Sequence, residues 1–240
     1  MRVLAIDTSN QVMSIALNED KKLIAELTTN VKRNHSERLM PAIEKLMKEV
    51  NWSPDSLNRI AISKGPGSYT GLRIGLTVAK TLAWTLDIDL VAVSSLKVLA
   101  ANIYAEGQLI VPLFDARRGN IYTGLYKMEN GSYVPLEEDT HISSKKWAFY
   151  LSKYKRPMII VGQDIKKHEV YFKEELADKV KMAEDEWNLP RASRLATLAY
   201  EEKPVNVHTF IPEYLKLTEA EETWKAAHPN EVGGLYVEKI

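Results

Sequence analysis

A duplicated α/β fold, two subdomains each built on a mixed sheet, is what this 240-residue sequence predicts. Three observations carry it. Two apolar strands, Val3–Ile6 and Leu109–Phe114, each run into an aspartate, Asp7 and Asp115. The order strand, Asp, turn, strand, strand, helix, strand follows each aspartate, so one unit is read twice. Composition fits: 45% hydrophobic and 27% charged residues make a globular chain long enough to bury a core without disulfides or metals.

Each element has a local reason. Val3–Ile6 is a continuous apolar run of the kind found inside a sheet. Asp7-Thr8-Ser9-Asn10-Gln11 is polar and turn-rich, and the strands Val12–Leu17 and Leu23–Leu27 flank the turn Asn18–Lys21. A helix follows. Asn34 with Glu37 has the form of a capping box, and Leu39, Met40, Ile43, Leu46, Met47 and Val50 make an apolar stripe at helical spacing. Pro41 is expected to bend this helix or to mark a late start.

Arg59–Ser63 is the next strand, and Lys64-Gly65-Pro66-Gly67-Ser68-Tyr69-Thr70-Gly71 leads into a helix ending near Leu86. That helix is apolar on nearly every side, from Leu72 through Leu76, Val78 and Leu82 to Trp84, so it must be covered on two sides. One cover is the sheet; the other is a further element or a second chain. Gly71 and Gly75 lie four apart and admit a close backbone on one face. Leu90–Val93 is a strand, and Ser94 caps a helix expected to reach about Tyr104. In the second half come the strand Ile121–Lys127, the hairpin turn Asn130-Gly131, a helix over Ser144–Ser152, the strand Met158–Val161 and a helix over Arg191–Glu201. The predicted division is 1–106, 107–215 and a partly mobile tail, 216–240.

The bulk numbers exclude some functions. Lys+Arg and Asp+Glu are both 32, so the chain lacks the basic surplus that gripping nucleic acid unaided requires. With no cysteine there is no disulfide scaffold, thiolate nucleophile or Cys-based metal site. The N-terminal apolar stretch is too short for a signal peptide and no run is long enough to span a bilayer, so a soluble cytosolic protein is expected.

Few constellations could do chemistry. A carboxylate after a buried strand, as at Asp7 and Asp115, can hold a cation while the turn N–H groups face a phosphate. An ordinary Asx turn explains the same residues, and Ser9-Asn10-Gln11 lacks the glycine of a phosphate-clasping hairpin. The Gly65–Gly71 loop precedes a helix N-terminus, a natural anion site. No Gly-Lys-Ser/Thr closes it, so it is no P-loop, and a tight strand-to-helix connection needs the same glycines. Arg117-Arg118 beside Asp115 could meet a nucleotide phosphate or a partner carboxylate, or be a solvated turn. The five histidines make no zinc-spaced pair, His35 reads as a surface residue, and no G-x-S-x-G elbow is present. What remains is apolar helix surface, which points to binding another protein.

Leu4-Ala5-Ile6-Asp7-Thr8-Ser9, His35-Ser36-Glu37-Arg38-Leu39-Met40-Pro41, Gly65–Gly75 and Phe114-Asp115-Ala116-Arg117-Arg118-Gly119-Asn120-Ile121-Tyr122 together resemble the TsaB (YeaZ) family, strongly in the first half and loosely in the second. Ile211-Pro212-Glu213-Tyr214-Leu215 resembles the tail of many bacterial members. The resemblance implies an actin-like (ribonuclease H-like) duplicated fold of the actin/Hsp70-like ATPase class. It implies a non-catalytic partner of the paralogue TsaD, working with the ATPase TsaE to form N6-threonylcarbamoyladenosine at position 37 of tRNAs that read codons starting with A. It implies a homodimer when alone and a TsaD heterodimer through the two N-terminal-half helices, with Met40, Ile43, Met47, Gly71, Gly75, Leu76 and Val78 as interface residues. Asp7, Asp115, Arg117 and Arg118 are then candidate contacts for ATP or ADP at the heterodimer junction, no cofactor is required by the chain itself, and tRNA is met through the complex. Where the paralogue carries its metal-binding H-x-x-x-H, this chain has Ser95 and Leu99, which cannot anchor a metal between them. The competing expectation is a small-molecule kinase or ATPase of the same superfold, with Asp7 and Asp115 around the nucleotide. A protease, the weakest alternative, has no site residues to support it.

Overall fold

The computed structural model describes residues 1–31 and 34–216. These residues hold ten strands and six α-helices. The first half holds β1 (Arg2–Asp7), β2 (Met13–Glu19), β3 (Lys22–Thr29), α1 (His35–Glu49), β4 (Arg59–Ser63), α2 (Tyr69–Leu86), β5 (Asp89–Val93) and α3 (Ser95–Ala100). The second holds β6 (Leu109–Asp115), β7 (Asn120–Glu129), β8 (Ser132–Ser143), α4 (Ser144–Leu151), β9 (Met158–Val161), α5 (Ile165–Leu176), β10 (Val180–Met182) and α6 (Ala192–Ala199).

The two sheets repeat one topology. The first runs β3-β2-β1-β4-β5 and the second, read from its other edge, β8-β7-β6-β9-β10. In each, the first three strands pair antiparallel and the last two join parallel, as β1 with β4 (Ala5 opposite Ala61) and β6 with β9 (Val111 opposite Ile160). The duplication predicted from element order is therefore real at the level of strand pairing. β1 and β6 are the central strands, and their carboxyl ends, Asp7 and Asp115, carry the two predicted corners.

Alternation along β1 sorts the core. Leu4 and Ile6 point to one face, where Ile15, Ile60 and Ile62 pack against Leu39, Ile43, Met47 and Leu76 of α1 and α2. Val3 and Ala5 point to the other, where small residues let α6 approach through Ala192, Leu195 and Ala196. The second sheet does the same: Leu109, Val111 and Leu113 meet α4 and α5, while Ile110 and Phe114 meet Leu96 and Leu99 of α3. Each half thus lends one helix to the sheet of the other, α3 to the second and α6 to the first. Ser94 joins the halves again: it caps α3 by accepting from Leu96 and Lys97 N–H, and its hydroxyl donates to Asp139, which also accepts from Tyr126 Oη at 2.5 Å.

Several expectations need correction. Asn34 makes no side-chain cap; its amide donates to Glu37 Oε1 at 3.2 Å instead, so the capping box is not formed. Helix α1 does not start late at Pro41: it begins at His35, and Pro41 lies inside it. The helix after Ser94 ends at Ala100 rather than near Tyr104, because buried Asn102 is drawn to the carbonyls of Trp187 and Leu189 at 2.8 and 2.7 Å. Two elements are not anticipated by the sequence pattern. Helix α5 is rich in Lys and Glu and buries only Ile165, His168, Phe172 and Leu176, and β10 has three residues. The predicted tail lies almost wholly outside the described residues.

Candidate functional site: the cleft between the halves and the α2 face

A cavity of about 820 Å³ opens between the carboxyl ends of the two central strands. Ser9–Gln11 and Gly67–Thr70 form its wall in the first half; Asp115, Arg117, Gln163 and Lys167 belong to the opposite wall. The two aspartates, equivalent in the repeat, have opposite fates there.

Asp7 is sealed. The residue is 1% exposed, and three donors hold its carboxylate: Ser9 N–H at 2.9 Å and Ser9 Oγ at 2.7 Å on Oδ1, and Ser63 Oγ at 2.6 Å on Oδ2. The Gly-rich loop then closes over the turn. Ser68 N–H donates to the Ser9 carbonyl at 2.6 Å, and Thr8 Oγ1 donates to the Gly71 carbonyl at 2.8 Å. A Cβ at Gly67 would collide with the Ser9 carbonyl oxygen and one at Gly71 with that of Thr8. The glycines let α2 and its loop lie flat on this corner. Asp7 therefore does not line the cavity, where the sequence had suggested a nucleotide contact. His35 is half-buried and part of this packing, its Nε2 2.9 Å from the Asn10 carbonyl, not the surface residue its position suggested.

Burial raises the Asp7 pKa above its ordinary 3.8, and the Ser63 and Ser9 hydrogen bonds only partly oppose this. A carboxyl that binds its proton more tightly folded than unfolded contributes stability at low pH that is lost as pH rises through the folded value, at about 1.4 kcal/mol per pKa unit of displacement. Asp7→Asn should therefore melt higher than the native chain at pH 7, and the gap should close as pH falls through the raised folded value. Thermal melts across pH check this; a variant that melts lower at pH 7 would show the ionised carboxylate to be a net stabiliser.

Asp115 stays open, with 20% of its side chain exposed. Arg117 N–H and Lys167 Nζ each reach its carboxylate at 3.0 Å, and His168 Nε2 stands 3.4 Å away. Partial burial pushes its pKa up, but Lys167, the Arg117 N–H and His168 outweigh that and hold it below the ordinary value. Lys167 also binds Asp164 Oδ1 at 2.7 Å. Arg117, Arg118 and Gly119 take three successive left-handed conformations, φ +67°, +53° and +73°, which turn the chain sharply away from Asp115. Arg117 lines the cavity, whereas Arg118 is exposed on the turn outside it. Lys167 and Gln163 were missed because they come from α5 and the loop before it, which carry no motif. Among the described residues no three His, Asp or Glu side chains gather as a metal site.

The predicted interface residues divide. Ile43, Met47 and Leu76 are 3%, 6% and 7% exposed, packed on the first sheet by their own chain, and so are not surface contacts. Gly71 and Gly75 are buried too, and the close neighbour they admit is Thr8 of the same chain. Met40 is exposed, Val78 half-buried, and Trp84 on α2 is 67% exposed, its ring edge-on to His208 at 5.8 Å. The stripe rule located the helix but not its outer face, which carries Arg73, Thr77, Thr81 and Thr85 beside Trp84. No helix among the described residues is long and apolar enough to cross a membrane.

Paired α/β units, each with a carboxylate after its first strand and a cleft between them, define the actin-like class. A protein-family model described as "TsaD: tRNA N6-adenosine threonylcarbamoyltransferase" matches residues 22–224. The TsaB of Bacillus subtilis, named a tRNA threonylcarbamoyladenosine biosynthesis protein, is 45% identical over 93% of this chain and 98% of its own length. That of Buchnera aphidicola from Schizaphis graminum is 34% identical over 69% of this chain and 80% of its own. The solved YeaZ of Pseudomonas aeruginosa superposes with a TM-score of 0.75 at 26% identity, covering 89% of this chain and 99% of its own. The chain belongs to the TsaB (YeaZ) family of tRNA threonylcarbamoyladenosine biosynthesis proteins.

Proposed function

We propose that the chain is a non-catalytic partner of a TsaD-type transferase in forming N6-threonylcarbamoyladenosine at position 37 of tRNAs that read codons starting with A. The observation that carries this reading is the sealed Asp7 corner. A kinase or ATPase of this superfold needs both carboxyl corners open to a nucleotide and its metal; here one is filled by the chain's own loop. The positions resembling the paralogue's histidines support it. Ser95 is buried, accepting from Gly65 N–H at 3.1 Å, and Leu99 is core, so both hold the fold. The open corner, Asp115 with Arg117 and Lys167, is the part suited to an anionic group, and ATP or ADP at a heterodimer junction would use it. TsaE completes the assembly in this reading. The zero net charge fits a chain that meets tRNA mainly through its partner.

Docking uses the outer face of α1 and α2, where Met40 and Trp84 offer apolar surface that the fold leaves open. Light scattering coupled to gel filtration should show a homodimer alone and a one-to-one complex when TsaD from the same source is added. Met40→Glu and Trp84→Glu should each weaken that complex about tenfold or more, with the melting temperature held to within a few degrees. A monomer indifferent to TsaD would defeat the reading, and sustained ATP turnover by the chain alone would return the enzyme alternative.

A further inference from the structure

Beyond α6 the chain continues along the first half. Pro204 bridges Val91, Val205 N–H bonds the Leu90 carbonyl at 2.8 Å, and Val205, Val207 and Phe210 pack on the core beneath α2. Lys80 Nζ ties the next stretch down, donating to the carbonyls of His208 and Phe210 at 3.1 Å each. Residues 211–216 are held differently. They run along the first turn of α2 to the mouth of the cleft, where Glu213, Tyr214, Leu215 and Lys216 form one of its walls.

That last stretch is attached lightly and on one side. Glu213 N–H donates to the Lys64 carbonyl at 2.8 Å, and its carboxylate meets Lys64 Nζ at 2.5 Å. Tyr214 lies against Tyr69, ring centroids 4.8 Å apart, and takes a hydrogen bond from Arg73 Nε at 3.1 Å. Arg73 in turn sits 4.1 Å over the Tyr69 ring. Among the described residues, every hydrogen bond and ion pair of residues 211–216 goes to the first half, although the cleft they wall is completed by the second. These contacts are all at least partly exposed, and Ile211 is 72% exposed and contributes little burial. Solvent-exposed ion pairs and cation–π contacts are individually weak, so such a segment opens well before the body of the fold.

We propose that residues 211–216 are a strap that gates the cleft, with Tyr214, held by the Tyr69 ring and by Arg73, as its latch. When the latch holds, the cavity is walled on the α2 side; when it releases, the segment swings out from the anchored 204–210 stretch while both sheets stay as they are. The gate is a property of this chain alone and does not depend on its partner or on the nucleotide reading.

The absence of native cysteine gives a direct test. Gln163→Cys, on the wall opposite the strap, places one thiol in the cavity, and its reaction with a bulky maleimide reports access. Adding Tyr214→Ala or Arg73→Ala should raise the labelling rate about tenfold, and combining the two should add little, since both break the same latch. A Lys145→Cys chain, labelled on the exposed start of α4, should be unaffected by either change. Circular dichroism melts confirm that each variant is folded. Unchanged labelling of Cys at 163 in both variants, or an equal rise at 145, overturns the strap.

Discussion

Leu76→Arg is expected to destabilise the fold itself, not merely to weaken an assembly. Leu76 lies on the sheet side of α2, 7% exposed, within the cluster that holds Leu39, Ile43, Ile60 and Ile62. A guanidinium placed there has no acidic partner and loses its water, and an uncompensated buried charge costs on the order of 3–5 kcal/mol. For a chain of this size that is a fall in melting temperature of roughly 10–15 °C. Scanning calorimetry of the purified variant would show it. A normal melt combined with a lost complex would mean instead that this face of α2 turns outward, and the interface would have to be redrawn around it.

Gly71→Ala should lower stability where the rule for helices says it should rise. Inside a helix, alanine is favoured over glycine by about 1 kcal/mol. Gly71 is on the first turn of α2, against the Asp7–Ser9 corner. Its new methyl would meet the Thr8 carbonyl oxygen, a backbone atom that cannot step aside, and would crowd the Ser68 Cβ at 3.3 Å. Thr8 is held there by its own bond to the Gly71 carbonyl at 2.8 Å. The expected loss is about 1–3 kcal/mol, the usual range for overpacking, read as a lower urea midpoint with an unchanged slope. Thr77→Ala, on the exposed side of the same helix, supplies the contrast and should gain a few tenths of a kcal/mol. A higher midpoint for Gly71→Ala would mean the loop is not clamped to the corner, and the sealed site that argues against an ATPase would go with it.

The two predictions rest on features that were unequally legible. The repeat of strand, aspartate and meander could be read directly, because apolar runs and turn residues report local conformation and both halves use the same ones. The Gly65–Gly71 loop could be read as a strand-to-helix connection needing its glycines, and the pairing of Asp7 with Asp115 as two equivalent corners. Helix α5 could not, because its buried stripe includes a histidine and is outnumbered by Lys and Glu.

By itself, then, the sequence determined the elements, their duplicated order and the two carboxylates that end the central strands, since each depends on residues close together in the chain. Only the tertiary structure decided which carboxylate is open. Asp7 is closed by Ser63 and by Gly67 and Gly71, some 56 to 64 residues away, while Asp115 faces the cavity beside Lys167. It likewise decided that Ile43, Met47 and Leu76 face inward, that α3 and α6 each cover the other half's sheet, and that residues 211–216 wall the cleft. Composition tells an apolar side chain that it must be buried; the partner that buries it comes from chain segments far away in sequence, and only folding brings them together.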